Sequence, residues 1–387
     1  MPSSTRNAES SLLGRRLAHQ KLIGSSCRTA DDVVAWMGAV QAQEYAPAKY
    51  ALGLRADGLT DAGVEQAFTD GAILRTHVLR PTWHFVTPRD IRWMLALTAP
   101  RIDARMAPYN PKLALDAKLF ARSHDAIARA LEGGRHLTRA ELTEALAGAG
   151  IDARGQRLGH LMLQAEIDRV VTSGPRRGRQ FTYALFDERV PAAAERSRDE
   201  SLAELAGRYL ASHGPATLRD FSWWSGLRMA DAKRAVEAAS PAVRREVVQG
   251  LTLWSRPAVT VPRSGRASTW LLPIYDEYLI AYTDRDLAID SRVRALDPSS
   301  RDDFGHYVVV DRRFAGTWRW LMVDGRIVVR VTPYRRLGRD DMGGLRAASR
   351  RLAAFTGLPV EVALAERTRE RPSRGRSFTP SVIRRDR

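Results

Sequence analysis

Gln41 and Gln43 bracket a single small residue, Ala42. In an extended chain, side chains at i and i+2 lie on one face, so two neutral carboxamides would point the same way. A carboxamide does not ionise near neutral pH and is not a true base. It can hold a water between its donors and its acceptor, and its carbonyl oxygen can stabilise nearby positive charge. That chemistry suits only a reaction whose leaving group departs easily. A second reading stays open on spacing alone: two glutamines at a helix end, capping backbone groups. A second feature is Arg176, Arg177 and Arg179 on a Gly-bracketed turn between two strand-like segments. Three cations without a neighbouring acid repel each other unless an anion is near, so the turn is a candidate to lie along DNA phosphates. A solvated turn that keeps the chain soluble is the alternative.

Other chemistries find no support. The eight histidines (19, 77, 84, 124, 136, 160, 213 and 306) form no HExxH and no pair with a carboxylate at ligand spacing. The chain has neither a GxxxxGK[ST] phosphate loop nor a Gly-rich dinucleotide fingerprint, and no GxSxG elbow. NTPase, dehydrogenase, hydrolase-elbow and zinc-protease readings therefore fall away, and no metal or cofactor is expected. Cys27 is the one cysteine, which excludes an internal disulfide. His77 and His84 flank a strand-like segment, where packing and hydrogen bonding explain them without catalysis.

The charge balance points to a polyanion. The 387 residues carry 61 Lys plus Arg against 44 Asp plus Glu, a net charge of +17. Only five of the 61 are lysines, at 21, 49, 112, 118 and 233. Genomic base composition can inflate arginine, but it does not by itself create an excess over acids. A sequence pI near 10.7 favours nucleic acid as partner. No apolar run approaches the ~20 residues that span a bilayer. The N-terminus lacks the apolar core of a secretion signal, so a cytoplasmic protein is expected.

The elements that must position these residues repeat. Residues 8–22 read as an amphipathic helix. A second helix starts at Thr29 or Ala30, with Asp31 and Asp32 suited to its first turn. The segment 41–47 breaks the pattern, Pro47 marking a turn or a new helix start. A third helix follows Thr60-Asp61, and 73–87 is strand-like. A further helix opens at Pro88. Helices followed by a two-stranded ribbon are the order of a winged helix, and the order returns twice. The second unit has helices at 123–131, 138–147 and 157–169, the middle one opened by a Thr138/Glu141 capping box. Its ribbon is 170–173 and 180–185. The third has helices at 201–212, after Thr217 and at 228–239, then a ribbon within 243–261. From 269 on, β-branched and aromatic runs with an Asp324-Gly325 turn predict a small antiparallel sheet or barrel. A helix over 342–356 closes it. The expected class is α+β: winged helices at 1–115, 116–196 and 197–267, a β-rich, barrel-like domain at 268–365, and a basic disordered tail at 366–387. That tail carries eight arginines against three acids.

Three runs, taken in order and spacing, carry a resemblance. They are Gly38-Ala39-Val40-Gln41-Ala42-Gln43-Glu44-Tyr45, Leu79-Arg80-Pro81-Thr82-Trp83-His84-Phe85-Val86, and Leu271-Leu272-Pro273-Ile274-Tyr275-Asp276. Over about residues 10–365 the chain resembles the tandem winged-helix DNA glycosylases of the AlkZ type, bacterial enzymes linked to azinomycin resistance and to the unhooking of interstrand crosslinks. The resemblance implies three winged helices forming a curved basic cradle. It implies a catalytic motif Gln–apolar–Gln, which falls on Gln41 and Gln43; a sister group has Asp at the second position. These residues would position water for attack at C1′ of a nucleotide bearing an N7-alkylated purine, leaving an abasic site. With no lysine inside 41–45, a monofunctional glycosylase without strand cleavage is expected. Tyr45 either lines the lesion pocket or belongs to the core, and Arg80 and His84 support the same site. The expected partner is double-stranded DNA bearing alkylated purines, bound by a monomer in the nucleoid. The rival function is a winged-helix transcriptional regulator without activity.

Overall fold

The computed structural model describes residues 3–256, 269–285, 287–289 and 305–365. The basic tail and the end of the third ribbon lie outside the described residues. Helix α1 (Ser3–His19) is followed by a first unit of α2 (Ala30–Met37), β1 (Val40–Gln41), α3 (Tyr45–Gly53), α4 (Asp61–Thr69), β2 (Leu74–His77) and β3 (Trp83–Val86). The three strands pair antiparallel in the order β1-β3-β2. Helix α5 (Pro88–Met106) leads to the second unit: α6 (Ala117–Leu131), β4 (Leu137–Thr138), α7 (Arg139–Gly148), α8 (Gln156–Ile167), β5 (Val171–Ser173) and β6 (Thr182–Leu185). Its sheet repeats the order, β4-β6-β5.

A short α9 (Phe186–Arg189) and an exposed stretch precede the third unit: α10 (Arg198–Ser212), α11 (Leu218–Ser225), α12 (Met229–Ala238), β7 (Arg244–Val248) and β8 (Leu251–Ser255). Here a single bridge, Ala216 to Trp254, stands where the first strand would be. Each unit thus runs helix, strand, helix, helix, strand, strand, with the first strand on the last. The sequence shows only the two-stranded ribbons. The first strands are two residues or one, too short for any period-2 pattern to register.

The helix starts are local chemistry. Thr29 with Asp32, Thr138 with Glu141, Ser197 with Glu200 and Thr217 with Asp220 each form reciprocal capping boxes. These satisfy N–H groups that the first helical turn leaves without partners.

The C-terminal part is β9 (Thr269–Leu272), α13 (Glu277–Ile280), β10 (Tyr307–Val310), β11 (Arg313–Val323), β12 (Arg326–Pro333), α14 (Arg339–Thr356) and β13 (Val360–Leu364). One sheet runs β13-β12-β11-β10-β9, antiparallel except that β13 lies parallel to β12 across the α14 crossover. No pairing joins β9 to β13 among the described residues. Asp324 and Gly325 both take positive φ, 47° and 75°, as a tight two-residue hairpin requires.

The hydrophobic cores run across the units. Val40, Ala42, Ile73 and Phe85 of the first unit pack with Leu271, Val308 and Val329 of the C-terminal sheet and with Leu345 and Phe355 of α14. Leu95 and Leu97 of α5 share a core with Tyr209, Phe221 and Trp224 of the third unit. Leu13 and Leu17 of α1 share a core with Trp270, Tyr278 and Ile280, and Leu54 of the first unit packs against it. The second unit keeps a core of its own, around Ile127, Leu146 and Leu161.

One ion pair pins this junction. Arg55, just past α3, and Asp276, which caps α13, are both fully buried. Arg55 donates Nη1 to Asp276 Oδ2 at 2.7 Å and Nη2 to Oδ1 at 2.8 Å. Ala51 O and Gln20 Oε1 take further donors. A bidentate pair tolerates burial; an unpaired guanidinium does not. Asp276→Asn should therefore lower unfolding free energy by about 3–5 kcal/mol in urea titrations. An Arg55→Met/Asp276→Leu double variant should lose far less, because no lone charge remains inside. Equal losses would mean the charge pairing is not what the junction needs.

Candidate active site

Gln41 ends β1, the edge strand of the first sheet, and Val40 and Ala42 on either side of it are core residues. Alternation then sends Gln41 to the opposite face, away from that core, while Gln43 follows in a bend just past the strand. Gln41 is 8% exposed and Gln43 is half-buried. The backbone is extended at Gln41 and leaves the strand before Gln43.

Four groups hold this segment. Gln41 stands opposite His84 in the ladder, and Ala42 N–H donates to Trp83 O at 2.7 Å. In such an antiparallel pair the Gln41 N–H points away from β3, to the open edge. There it donates to Glu277 Oε1 at 2.9 Å. Gln41 Oε1 accepts from Arg80 Nη2 at 2.8 Å. Gln43 Oε1 accepts the Trp83 N–H at 3.3 Å. Arg75 reaches the carbonyls, Nε to Ala42 O at 2.9 Å and Nη2 to Gln43 O at 3.4 Å. The donors facing both amide oxygens fix which way each carboxamide points. Neither amide nitrogen has a protein hydrogen-bond partner among the described residues.

Arg80 is placed by the third unit. Gly226, at φ +71°, closes α11 against the 79–80 turn, where a Cβ would come within 2.2 Å of Leu79 O. Next to it Trp223 is 41% exposed, fixed by an Nε1–H donated to Ile280 O at 2.9 Å. The Arg80 guanidinium lies 5.6 Å from its ring centroid. Arg75 is stacked between Trp83 and Phe181 at 4.3 and 4.6 Å, and burial lowers it to about 10. It still carries its charge at neutral pH.

His84 is completely buried. Its Nδ1 lies 2.8 Å from Thr82 O. A carbonyl can only accept, so Nδ1 carries the hydrogen and Nε2 is a bare acceptor. That Nε2 has no partner among the described residues. Burial, reinforced by the Arg80 charge, pushes His84 down to about 3, so the imidazole is neutral at physiological pH.

Glu277 and Arg75 escape a reading of the sequence. Glu277 follows Asp276 directly, and the Asp-Glu pair closing the Leu271–Asp276 run is its only trace. It is 0% exposed, and its Oε2 accepts from Trp224 Nε1 at 3.1 Å. His213 Nε2 lies 3.3 Å from the same oxygen without an aligned hydrogen bond. Burial alone would raise this carboxyl, but His213 and the Gln41 N–H outweigh it and hold it below the usual carboxylate range.

Other expected residues sit elsewhere. Tyr45 belongs to an aromatic cluster with Phe68, Phe85 and Phe181, at centroid distances of 5.4, 5.8 and 5.0 Å. Its hydroxyl donates to Glu65 Oε2 at 3.2 Å, and burial raises the phenol far above its ordinary range. The premise of an acid-free arginine turn does not hold. Arg176 pairs with Glu65 at 3.2 Å and Arg177 with Glu141 at 2.7 Å. Both acids arrive from distant helices, α4 and α7. Arg176 is half-buried, while Arg177 and Arg179 are exposed.

Comparisons with known proteins identify related chains. An interstrand DNA cross-link repair glycosylase of Streptomyces sahachiroi is 24% identical over 373 residues, covering 90% of this chain and 97% of that protein. The solved structure of the Streptomyces sahachiroi DNA glycosylase AlkZ superposes with a TM-score of 0.75 at 22% identity, covering 92% of this chain and 99% of that one. That likeness shows a shared fold of tandem winged helices with a β-rich C-terminal part. A family profile described as "DNA glycosylase AlkZ-like" matches residues 34–355, which includes the Gln41–Gln43 strand, Arg80, His84 and Glu277. The chain belongs to the AlkZ-like family and is a DNA glycosylase.

Proposed function

We propose that this glycosylase hydrolyses the N-glycosidic bond of N7-alkylated purines, bulky adducts and interstrand crosslinks among them, and leaves an abasic site. The observation that carries the reading is the edge strand itself. It and the bend after it hold two carboxamides two residues apart, each with its oxygen tethered. N7 alkylation gives the purine a positive charge, so the bond to C1′ is weakened before any acid acts. As that bond breaks, its electron pair neutralises the departing base. The sugar takes on oxocarbenium character, which fixed amide oxygens can stabilise. Water held by Gln41 and Gln43 adds to C1′ and releases one proton.

No group needs to protonate the base, which suits a site whose nearest imidazole, His84, is neutral. Lys49 is the nearest lysine, and its Nζ is committed to Asp61 and Glu65 at 2.9 Å each. An amine so paired is a poor nucleophile, which supports hydrolysis without a Schiff base or strand cleavage. A crosslinked base is tethered to the other strand and cannot be fully extruded. Attack on such a base would therefore proceed without full flipping. The cross-link repair named for the Streptomyces relative supports that substrate class. Arg80 would steady Gln41, while Tyr45 serves the aromatic core behind the strand. The enzyme works as a monomer on duplex DNA, in the cytoplasm with the nucleoid.

With duplex DNA carrying one N7-methylguanine, the wild type should release free base and leave an alkali-labile site. Gln41→Ala and Gln43→Ala should each slow release by about 100-fold or more, the loss typical when a fixed polar group leaves an active site, with DNA affinity unchanged. Release at the wild-type rate by the double variant would remove both residues from the mechanism.

The hairpin tip should divide by exposure. Arg177→Ala/Arg179→Ala should weaken DNA binding and shrink the slope of log K against log salt by about 0.9 for each phosphate left without its cation. Arg176→Ala should instead lower the melting temperature, since it strips Glu65 of a cation, and leave that slope nearly intact. A slope unmoved by the double variant would take the tip off the DNA.

A further inference from the structure

Glu277 is a fully buried carboxylate; His213 Nε2 lies 3.3 Å from its Oε2 without an aligned hydrogen bond, and burial holds that imidazole below its ordinary range. The carboxylate's two direct donors are neutral, the Gln41 N–H and the Trp224 indole N–H. Burying an ionised carboxylate is expensive unless its charge is matched, and a structural cap on an edge N–H could be a neutral amide or a water. The position is built from three parts of the fold. Gln41 comes from the first unit, Trp224 and His213 from the third, and Glu277 from the C-terminal part. Each indole or imidazole partner is itself buried.

From this geometry we infer that Glu277 is a positioning residue for base release, acting through Gln41. The inference rests on the reading of Gln41 as a holder of the attacking water. Oε1 fixes the Gln41 main chain at the one place where β1 lacks a neighbouring strand. Arg80 fixes the side-chain oxygen of the same residue from the other side. Together they leave the Gln41 carboxamide one orientation. The Glu277 charge also offsets that of Arg80, a cation that would otherwise oppose positive charge developing on the sugar.

The experiment is a double-variant cycle on the full-length protein, using duplex DNA with a single N7-methylguanine under single-turnover conditions. Enzyme titration yields the maximal rate and the half-saturating concentration separately, and a thermal melt accompanies each variant. Glu277→Gln should lower the maximal rate by about 100-fold, the scale expected for misplacing a reacting group by an ångström. Half-saturation should stay within about twofold. In a Gln41→Ala background the same change should cost nothing further, because the group it orients is gone. Glu277→Asp, which withdraws the carboxylate by one methylene, should show the same non-additivity and serves if Glu277→Gln does not fold.

Three results overturn the inference. One is a Glu277→Gln maximal rate within twofold of wild type. Another is an additive loss in the Gln41→Ala background, which marks a general structural role. The third is a Gln41→Ala variant as fast as wild type. The first two leave the proposed function standing, whereas the third removes its site as well.

Discussion

One main-chain N–H at the edge of a three-stranded sheet organises the centre of this protein. Strand β1 is two residues long and has a neighbour on one side only. An isolated edge of that length would fray, because it makes few ladder bonds and water competes for the rest. Here the open donor of Gln41 is taken by a carboxylate from a helix 236 residues further along the chain. That one hydrogen bond requires the first unit and the C-terminal part to be in register, and Trp224 of the third unit holds the other carboxylate oxygen. The shared hydrophobic cores supply the register, and the Arg55–Asp276 pair, one residue away from Glu277, locks it. Neighbouring acids thus divide the work: Asp276 neutralises a buried cation of the scaffold, and Glu277 faces the site.

Electrostatics separates surface from interior. The excess of +17 is a property of the whole chain. Many individual arginines are nonetheless committed inside the fold. Arg55 is matched by a carboxylate, Arg75 stacks on aromatic rings and binds main-chain carbonyls, and Arg80 holds an amide oxygen. Arginine suits such places because its planar fork can satisfy several acceptors at once and its faces pack on rings. Counting basic residues therefore overstates the number free to meet phosphate. At the second unit's hairpin the same sorting occurs within four residues. Arg176 turns inward to Glu65 and the Tyr45 and Phe181 rings, while Arg179 stays in solvent.

Much of the architecture is written in local sequence. The capping boxes at Thr138 and Thr217, the Asp324-Gly325 turn and the apolar stripes each act over a few residues, so they can be read without knowing the fold. Three rounds of helices and ribbon follow from them. The motif Gln41-Ala42-Gln43 was legible too, though its meaning came from order and spacing with two other runs, not from the pair itself. What escaped was whatever is too short or too remote. The first strand of each unit makes one or two pairs, and β13 pairs parallel only because α14 carries the chain back across the sheet. Glu65 and Glu141 reach the arginine turn from helices 111 and 36 residues away, which the turn's own composition could not reveal.

By itself, then, the sequence determined the helices, their caps, the ribbons, the basic balance and the identity of two carboxamides set two residues apart. These depend on backbone propensity, on hydrophobic period and on charge, all of which act near in the chain. Only the tertiary structure decided which groups face those carboxamides. Glu277, Arg80, Arg75 and Trp83 come from four different segments, and hydrogen bonds of about 3 Å demand a precision that no linear spacing encodes. Long-range packing brings them to within that distance, so the surroundings of Gln41 and Gln43 are a consequence of the whole fold.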